Sequence, residues 1–461
     1  MQRSPSLTSS VTPFPETAPA GLADLAGGIS SVALTELALA RAETGEGPRV
    51  FTRLFRKTAR AEAHASDALR AAGLARSPLE GLPISVKDLL DVAGYTTRAG
   101  SRVLDGAPPA SASAEAVQRL RHAGAVIIGS TNMTEFAFSG LGINPHYGTP
   151  RNPWQRDADG GGRIPGGSSS GAAISITEGM AVAALGSDTG GSVRIPAALC
   201  GLVGFKPTAR RVPLQGTVPL SPTLDSLGPL ATSVSTCIAM DAVLSGEPHT
   251  GLRPATVRGL RFLVPDNVVL DGMDDTVRAS WTRALDRLAQ AGVQLVHQRV
   301  APLDELPGIN AKGGFSPPEA WTWHRRFLPA RQAEYDPRVL VRIQAGRDVT
   351  AADYIELLAR RQRWIEDMGA LLSGFDALVM PTVPVVAPKI ADLERSDTAY
   401  FAANGLILRN PAIINVLDGC AISLPCHAPG EAPVGFSLAA AGGQDSHLLS
   451  LALAVEPLLR G

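Results

Sequence analysis

The sequence predicts an α/β fold, a largely parallel sheet covered by helices, and three observations lead there. Short apolar runs alternate with helical stretches over 82–128, and again over 258–300. With 45% apolar and 18% charged residues the chain can bury a sizeable core. Its 47 glycines and 36 prolines supply turns for many connections.

Taken in order, residues 1–20 are rich in Ser, Thr and Pro and are expected to form a mobile tail. Stretches 22–43 and 51–74 read as helices; in the second, Phe51, Leu54, Phe55, Ala59 and Ala63 share one stripe. A short strand over 82–88 carries Lys87 at its end, a helix follows at 113–123, and 125–128 is a strand between Gly124 and Gly129. A Gly/Asn/Pro loop at 140–154 leads into 160–207, around which the chain is organised. That stretch holds two loops, Gly166-Gly167-Ser168-Ser169-Ser170-Gly171 and Gly186-Ser187-Asp188-Thr189-Gly190-Gly191-Ser192. The apolar residues between them suit a buried helix and a short strand. Residues 221–230 look turn-rich and 233–244 helical; 258–264 and 293–300 read as strands around an amphipathic helix at 274–291. The segment 302–350 is less regular, 351–372 is a long helix and 377–381 a buried strand. Residues 411–425 and a strand at 434–440 close the sheet.

Composition excludes several classes of function. A net charge of −1 gives no basic field for nucleic acid or an anionic membrane. No apolar run is long enough to span a bilayer, and the first residues lack the apolar core of a secretory signal, so a cytoplasmic location is expected. Cys200, Cys237, Cys420 and Cys426 form no CxxC pair and sit among apolar neighbours, as buried free thiols do. The eight histidines are scattered; His146, His427 and His447 read as loop or surface residues, and no metal or cofactor is expected. Neither glycine loop ends in Gly-Lys-Ser/Thr or follows a clear strand, which argues against nucleotide binding.

What the loops do offer is backbone N–H groups brought close to a ligand, beside hydroxyls that attack once a base activates them. Gly167-Ser168-Ser169-Ser170-Gly171 satisfies the G-x-S-x-G elbow pattern with Ser169 as nucleophile. The elbow needs an apolar strand just upstream, where this chain has Asp159-Gly-Gly-Gly-Arg-Ile-Pro165, and neither His427 nor His447 has a triad context. The other base is Lys87. A lysine at a strand end often only snorkels to the surface. It acts as a base where burial brings its reference pKa of about 10.4 down.

Lys87 and the two loops closely resemble the amidase signature family, as do Gly81–Asp88, Gly129–Phe136, Tyr147–Pro153, Arg194-Ile-Pro-Ala and Cys200–Thr208. The resemblance runs over about 50–454. It implies one α/β/α domain over 21–461 around a mixed, mostly parallel sheet, and a Ser–cis-Ser–Lys triad. In that triad Ser192 is the nucleophile, Ser168 the relay after a cis Gly167–Ser168 bond, and Lys87 the base. Backbone N–H groups of Thr189, Gly190, Gly191 and Ser192 would form the oxyanion hole, while Asp188, Arg194 and Ser169 brace the loops. Met133, Phe138, Gly140 and Leu141, with Phe136 and Ile143, are candidates to line an acyl pocket. Thr134 stands where many relatives carry an acid, and 157–162 looks like an insertion; both bear on substrate access. The implied activity is hydrolysis of a small carboxamide, whether aliphatic, aryl or carbamate-like, through an acyl-enzyme by a stand-alone enzyme, as a monomer or homodimer. The alternatives are the glutaminase subunit of a tRNA-dependent amidotransferase, working with a partner, and a catalytically silent binding protein on the same scaffold.

Overall fold

The computed structural model describes residues 28–157, 161–249 and 251–460, so the tail expected at 1–20 lies outside them. Among the described residues eleven strands form one sheet: β1 (Phe51–Leu54), β2 (Pro83–Lys87), β3 (Val126–Thr131), β4 (Ala183–Ser187), β5 (Val203–Lys206), β6 (Leu227–Ala231), β7 (Arg261–Pro265), β8 (Gln294–Gln298), β9 (Ala377–Pro381), β10 (Cys420–Pro425) and β11 (Gly435–Ala440). Their order across the sheet is β1-β3-β2-β4-β6-β5-β10-β11-β9-β7-β8.

Parallel pairing is confined to two blocks, β3-β2-β4 and β9-β7-β8. The centre of the sheet and the β1 edge pair antiparallel. The sheet is therefore mixed, as expected, but parallel pairing does not dominate. The strand–helix alternation visible in the sequence belongs to the two blocks alone. The central strands find partners far away along the chain, as β5 does in β10.

Alternation in β2 decides where polar chemistry collects. Ile84 and Val86 enter one core with Ile127 and Leu185, while Val126, Ile128 and Ala184 point into a second core on the other face. Ser85 bonds the Ser175 hydroxyl at 2.9 Å. Ser175 lies on α1 (Ser170–Thr177), a helix buried along nearly its whole length and packed into the second core through Ala172, Ala173, Ile174 and Ile176. α1 and β4 are the buried helix and short strand expected between the two loops. After β4 the chain crosses residues 188–193 into α2 (Arg194–Cys200).

Three stretches differ from the sequence reading. Residues 51–54 are not helical; they form β1 on the free edge of β3, with Phe51 opposite Thr131, and the helix starts at Arg56. The turn-rich 221–230 stretch ends in β6, which contains Gly228 and Pro229 and is wedged between β4 and β5. A Cβ at Gly228 would sit 2.1 Å from the Phe205 carbonyl oxygen, so the sheet itself demands this poor strand former. The segment read as irregular contains Ala301–Ile309, α3 (Ser316–His324) and α4 (Pro337–Gln344), each with proline in its first turn. Proline there has the right φ and no N–H to waste, so these prolines start helices instead of breaking them. α5 (Asp397–Val416) crosses the glycine loops, and the helix Asp445–Arg460 covers β10. All four cysteines are free and buried. No helix among the described residues is long and apolar enough to cross a membrane.

Candidate active site

β2 and β4 run parallel, with Val86 opposite Leu185, so Lys87 and Ser187 emerge together at their carboxyl ends. Open α/β sheets bind ligands in that position. Lys87 is fully buried, and its Nζ donates to the Ser168 hydroxyl at 2.7 Å and to the Ser187 hydroxyl at 2.7 Å. Burial brings its pKa down to about 7, against the opposing pull of Asp188 and Asp225. A second buried lysine, Lys206, donates among the described residues only to the carbonyls of Pro207 and Gly419, with burial lowering it to about 8. Of the two, Lys87 is the one that meets hydroxyls. Asp88, its neighbour, is itself pushed up to about 7 by burial, and its Oδ2 has no partner among the described residues.

The first serine loop contains a cis Gly167–Ser168 peptide. Gly167 N donates to the Gly140 carbonyl at 2.8 Å, and Thr134 N donates to the Ser168 carbonyl at 3.1 Å. Segment 134–140 is thus fastened at both ends to this one dipeptide. A Cβ at Gly167 would lie 2.5 Å from Gly142 N, so the approach requires glycine. The Ser169 hydroxyl donates to the Ser187 carbonyl at 3.3 Å and that of Ser170 to the Asn132 carbonyl at 3.4 Å. Neither touches Lys87, and no strand leads into them, so the elbow pattern at Ser169 lacks its context. Thr134 Oγ1 is buried without a partner among the described residues.

The second loop is built around the Asp188 carboxylate. It accepts from Gly191 N at 2.7 Å, Val193 N at 3.2 Å, Arg194 Nε at 3.0 Å, Arg194 Nη2 at 2.9 Å and Asn415 Nδ2 at 2.9 Å. Burial alone would raise this carboxyl. The Arg194 charge and hydrogen bonds, with Lys206 and Asn415, outweigh it and hold Asp188 well below the usual carboxylate range. Thr189 Oγ1 donates to Asp225 Oδ1 at 2.5 Å, and burial lifts Asp225 to about 6.

These contacts divide the proposed donors. The Gly191 N–H is committed to Asp188, so it is not free for an oxyanion as the resemblance implied. The N–H groups of Thr189, Gly190 and Ser192 have no partner among the described residues. The Ser192 hydroxyl is likewise unpartnered among them. Ser192 is tied to the first loop through its carbonyl, which accepts from Ser169 N at 3.3 Å. Its hydroxyl is not hydrogen-bonded to that of Ser168.

The pocket candidates separate. Met133 and Phe138 belong to the main core with Phe136, and Leu141 and Ile143 to a smaller one with Ile195 and Leu199. Gly140 lies against Leu408 of α5. The half-exposed point of the second loop is Gly190, faced by Leu408 and Ala412. Those two residues, like Asp225 and Asn415, carry no sequence signal for this site; only the folded chain brings them there. A cavity of about 860 Å³ lies elsewhere, beside Asp91, Leu104 and Gln215.

The family model described as Amidase matches residues 33–449, and the chain belongs to that family. It is 39% identical to the 2-amino-5-chloromuconic acid deaminase of Comamonas testosteroni, over 87% of this chain and 86% of that one. It is 33% identical to a glutamyl-tRNA(Gln) amidotransferase subunit of Chloroflexus aggregans (strain MD-66 / DSM 9485), over 90% of each. A crystal structure of an amidase superimposes with a TM-score of 0.84 at 33% identity, covering 95% of this chain and all of the other (100%).

Proposed function

We propose that this chain hydrolyses a small amide through an acyl-enzyme on Ser192. The observation that carries the reading is the 2.7 Å contact between a fully buried, easily neutralised lysine and the Ser168 hydroxyl. Neutral Lys87 takes the Ser168 proton while Ser168 takes the proton of Ser192, whose oxygen attacks the amide carbonyl. For this the Ser192 hydroxyl turns onto Ser168. The N–H groups of Thr189, Gly190 and Ser192 stabilise the oxyanion of the tetrahedral intermediate, a contribution of roughly 3–4 kcal/mol per donor in comparable sites. Ser168 then returns a proton to the leaving nitrogen, the C–N bond breaks, and ammonia or an amine departs. Water, deprotonated through the same relay, releases the carboxylate and restores Ser192.

The test is product release by the purified chain alone, on short aliphatic amides, anilides, an aryl carbamate and free glutamine, beside Ser192→Ala. Turnover abolished by the substitution supports a self-sufficient amidase. Glutamine hydrolysis that appears only with a copurifying partner supports the amidotransferase reading, to which the Chloroflexus relative lends weight. No turnover, with no labelling of Ser192 by a fluorophosphonate, overturns the reading in favour of a binding protein.

A further inference from the structure

Resting on the amidase reading, we propose that Asn415 and Ser226 are positioning residues: by gripping the Asp188 carbonyl they fix the direction of the Thr189 N–H, one of the oxyanion donors. The Asp188 carbonyl and the Thr189 N–H belong to one peptide group. Among the described residues the only cis bond is Gly167–Ser168, so this group is trans, and its C=O and N–H point to opposite sides. Three donors converge on the carbonyl: Ser226 Oγ at 2.9 Å, Asn415 Nδ2 at 3.0 Å and Ser226 N at 3.2 Å. A carbonyl oxygen has two lone pairs, so this one is over-supplied. The Thr189 N–H is thereby turned away from Ser226 and Asn415, and it has no partner among the described residues.

The two residues reach this carbonyl from different elements. Ser226 immediately precedes β6, and Asp188 immediately follows β4, its antiparallel neighbour. Asp188 N donates to the Ser226 carbonyl at 2.7 Å, so the pair extends the ladder by one residue and already satisfies the Asp188 carbonyl through Ser226 N. The buried Ser226 hydroxyl adds a second donor and makes no other hydrogen bond among the described residues. Asn415 is buried near the end of α5. Its Oδ1 accepts from Arg194 Nη2 at 2.7 Å, while Nδ2 donates to Asp188 Oδ1 at 2.9 Å as well as to the carbonyl. These partners assign the amide, since reversed it would set NH2 against a guanidinium and oxygen against two acceptors. Bracing the loop needs only the carboxylate contacts. A hydroxyl and an amide added to a carbonyl that is already paired do more, because donors on a carbonyl polarise its peptide group and strengthen the N–H at the other end. The Thr189 side chain is held separately, by Asp225, so the residue is fixed on both sides of that N–H.

The experiment measures kcat and KM on butyramide and benzamide, and inhibition by butyraldehyde and benzaldehyde, in wild type, Ser226→Ala and Asn415→Ala, with Tm for each. An aldehyde adds the Ser192 oxygen at its carbonyl carbon; the C=O pair becomes the oxyanion and the hydroxyl proton passes to Ser168. It therefore reports oxyanion binding without amide cleavage. Ser226→Ala, which touches the carbonyl alone, should lower kcat about three- to tenfold and weaken the aldehyde by the same factor, with KM within about twofold of wild type. Asn415→Ala should lose about ten- to a hundredfold in both, together with some Tm, because it also strips Asp188 and Arg194. An unchanged kcat in Ser226→Ala overturns the proposal whatever Asn415→Ala does, as does a loss confined to KM or a loss in kcat that aldehyde affinity does not follow. Failure of the amidase reading looks different: wild type releases ammonia from neither amide, and neither aldehyde protects Ser192 from a fluorophosphonate.

Discussion

At the scale of single residues the base assignment makes a pH prediction with a definite sign. A lysine with a pKa of about 7 is protonated and idle below that value and competent above it, so kcat/KM should climb through about pH 7 to a plateau. Asp88, raised to about the same value, ionises in the same window. Asp88→Asn separates them: the climb should persist, whereas Lys87→Ala should lose at least about a thousandfold at every pH. A profile flattened by Asp88→Asn would move the titration to the carboxylate. The pairing of Lys87 with the first serine loop was legible because the glycine–serine pattern and the strand-end lysine are local in sequence, whereas the roles proposed for Ser168 and Ser192 rest on the family resemblance. Ser187, the second acceptor of Lys87, was not, because its role appears only when β4 lies parallel to β2. The commitment of Gly191 N to Asp188 was equally hidden, since loop sequence does not say which N–H turns inward.

At the scale of elements, the second loop and α5 act as one unit, and neighbouring glycines in it should respond differently. Gly191 has φ +123°, and a Cβ there would lie 2.5 Å from Pro411 Cβ. Gly191→Ala must push the loop off α5, carrying the Ser192 N–H with it, and should cost about a hundredfold or more in kcat. Gly190 lies outside the left-handed region, and its added Cβ would meet Leu408 at 3.6 Å and Ala412 at 3.9 Å, ordinary contacts. Gly190→Ala should therefore fold with wild-type Tm and act through KM by narrowing the opening. A shared phenotype for both would argue against this geometry. Asp188→Ala leaves Arg194 buried without its partner, and denaturant unfolding should register a loss of roughly 3–5 kcal/mol. None of this coupling was legible before folding. α5 enters from more than 200 residues away in sequence, as the Asn415–Asp188 bond shows, so no local pattern announces it. The sequence reading erred for the same reason at 51–54 and 227–230, where an open sheet edge and a crowded sheet centre overrode intrinsic propensity.

At the scale of the whole molecule, the layer formed by α3 and α4 closes over segment 134–140, and one buried histidine ties its stability to pH. His324 is buried against Phe136 at 4.3 Å, Trp323 at 4.6 Å and Tyr335 at 5.5 Å between ring centroids. Its Nδ1 shares a 2.9 Å hydrogen bond with the Tyr335 hydroxyl, and its Nε2 has no partner among the described residues. Burial, helped by the Arg326 charge, lowers its pKa from 6.5 to about 3. Between those values the unfolded chain binds a proton that the folded chain refuses, so stability falls as pH falls from about 6.5 towards 3. His324→Phe keeps the aromatic packing and removes the titration, so its Tm should decline less than that of wild type across this window. Parallel declines would place the acid sensitivity elsewhere. Phe136 belongs to the segment that both hydrogen bonds fasten to Gly167–Ser168, so protonating His324 strains the layer next to Ser168 first. Because protonation of Lys87 already lowers turnover below about pH 7, the readout is structural: Trp323 fluorescence should change at a pH above that of global unfolding, and His324→Phe should bring the two transitions together.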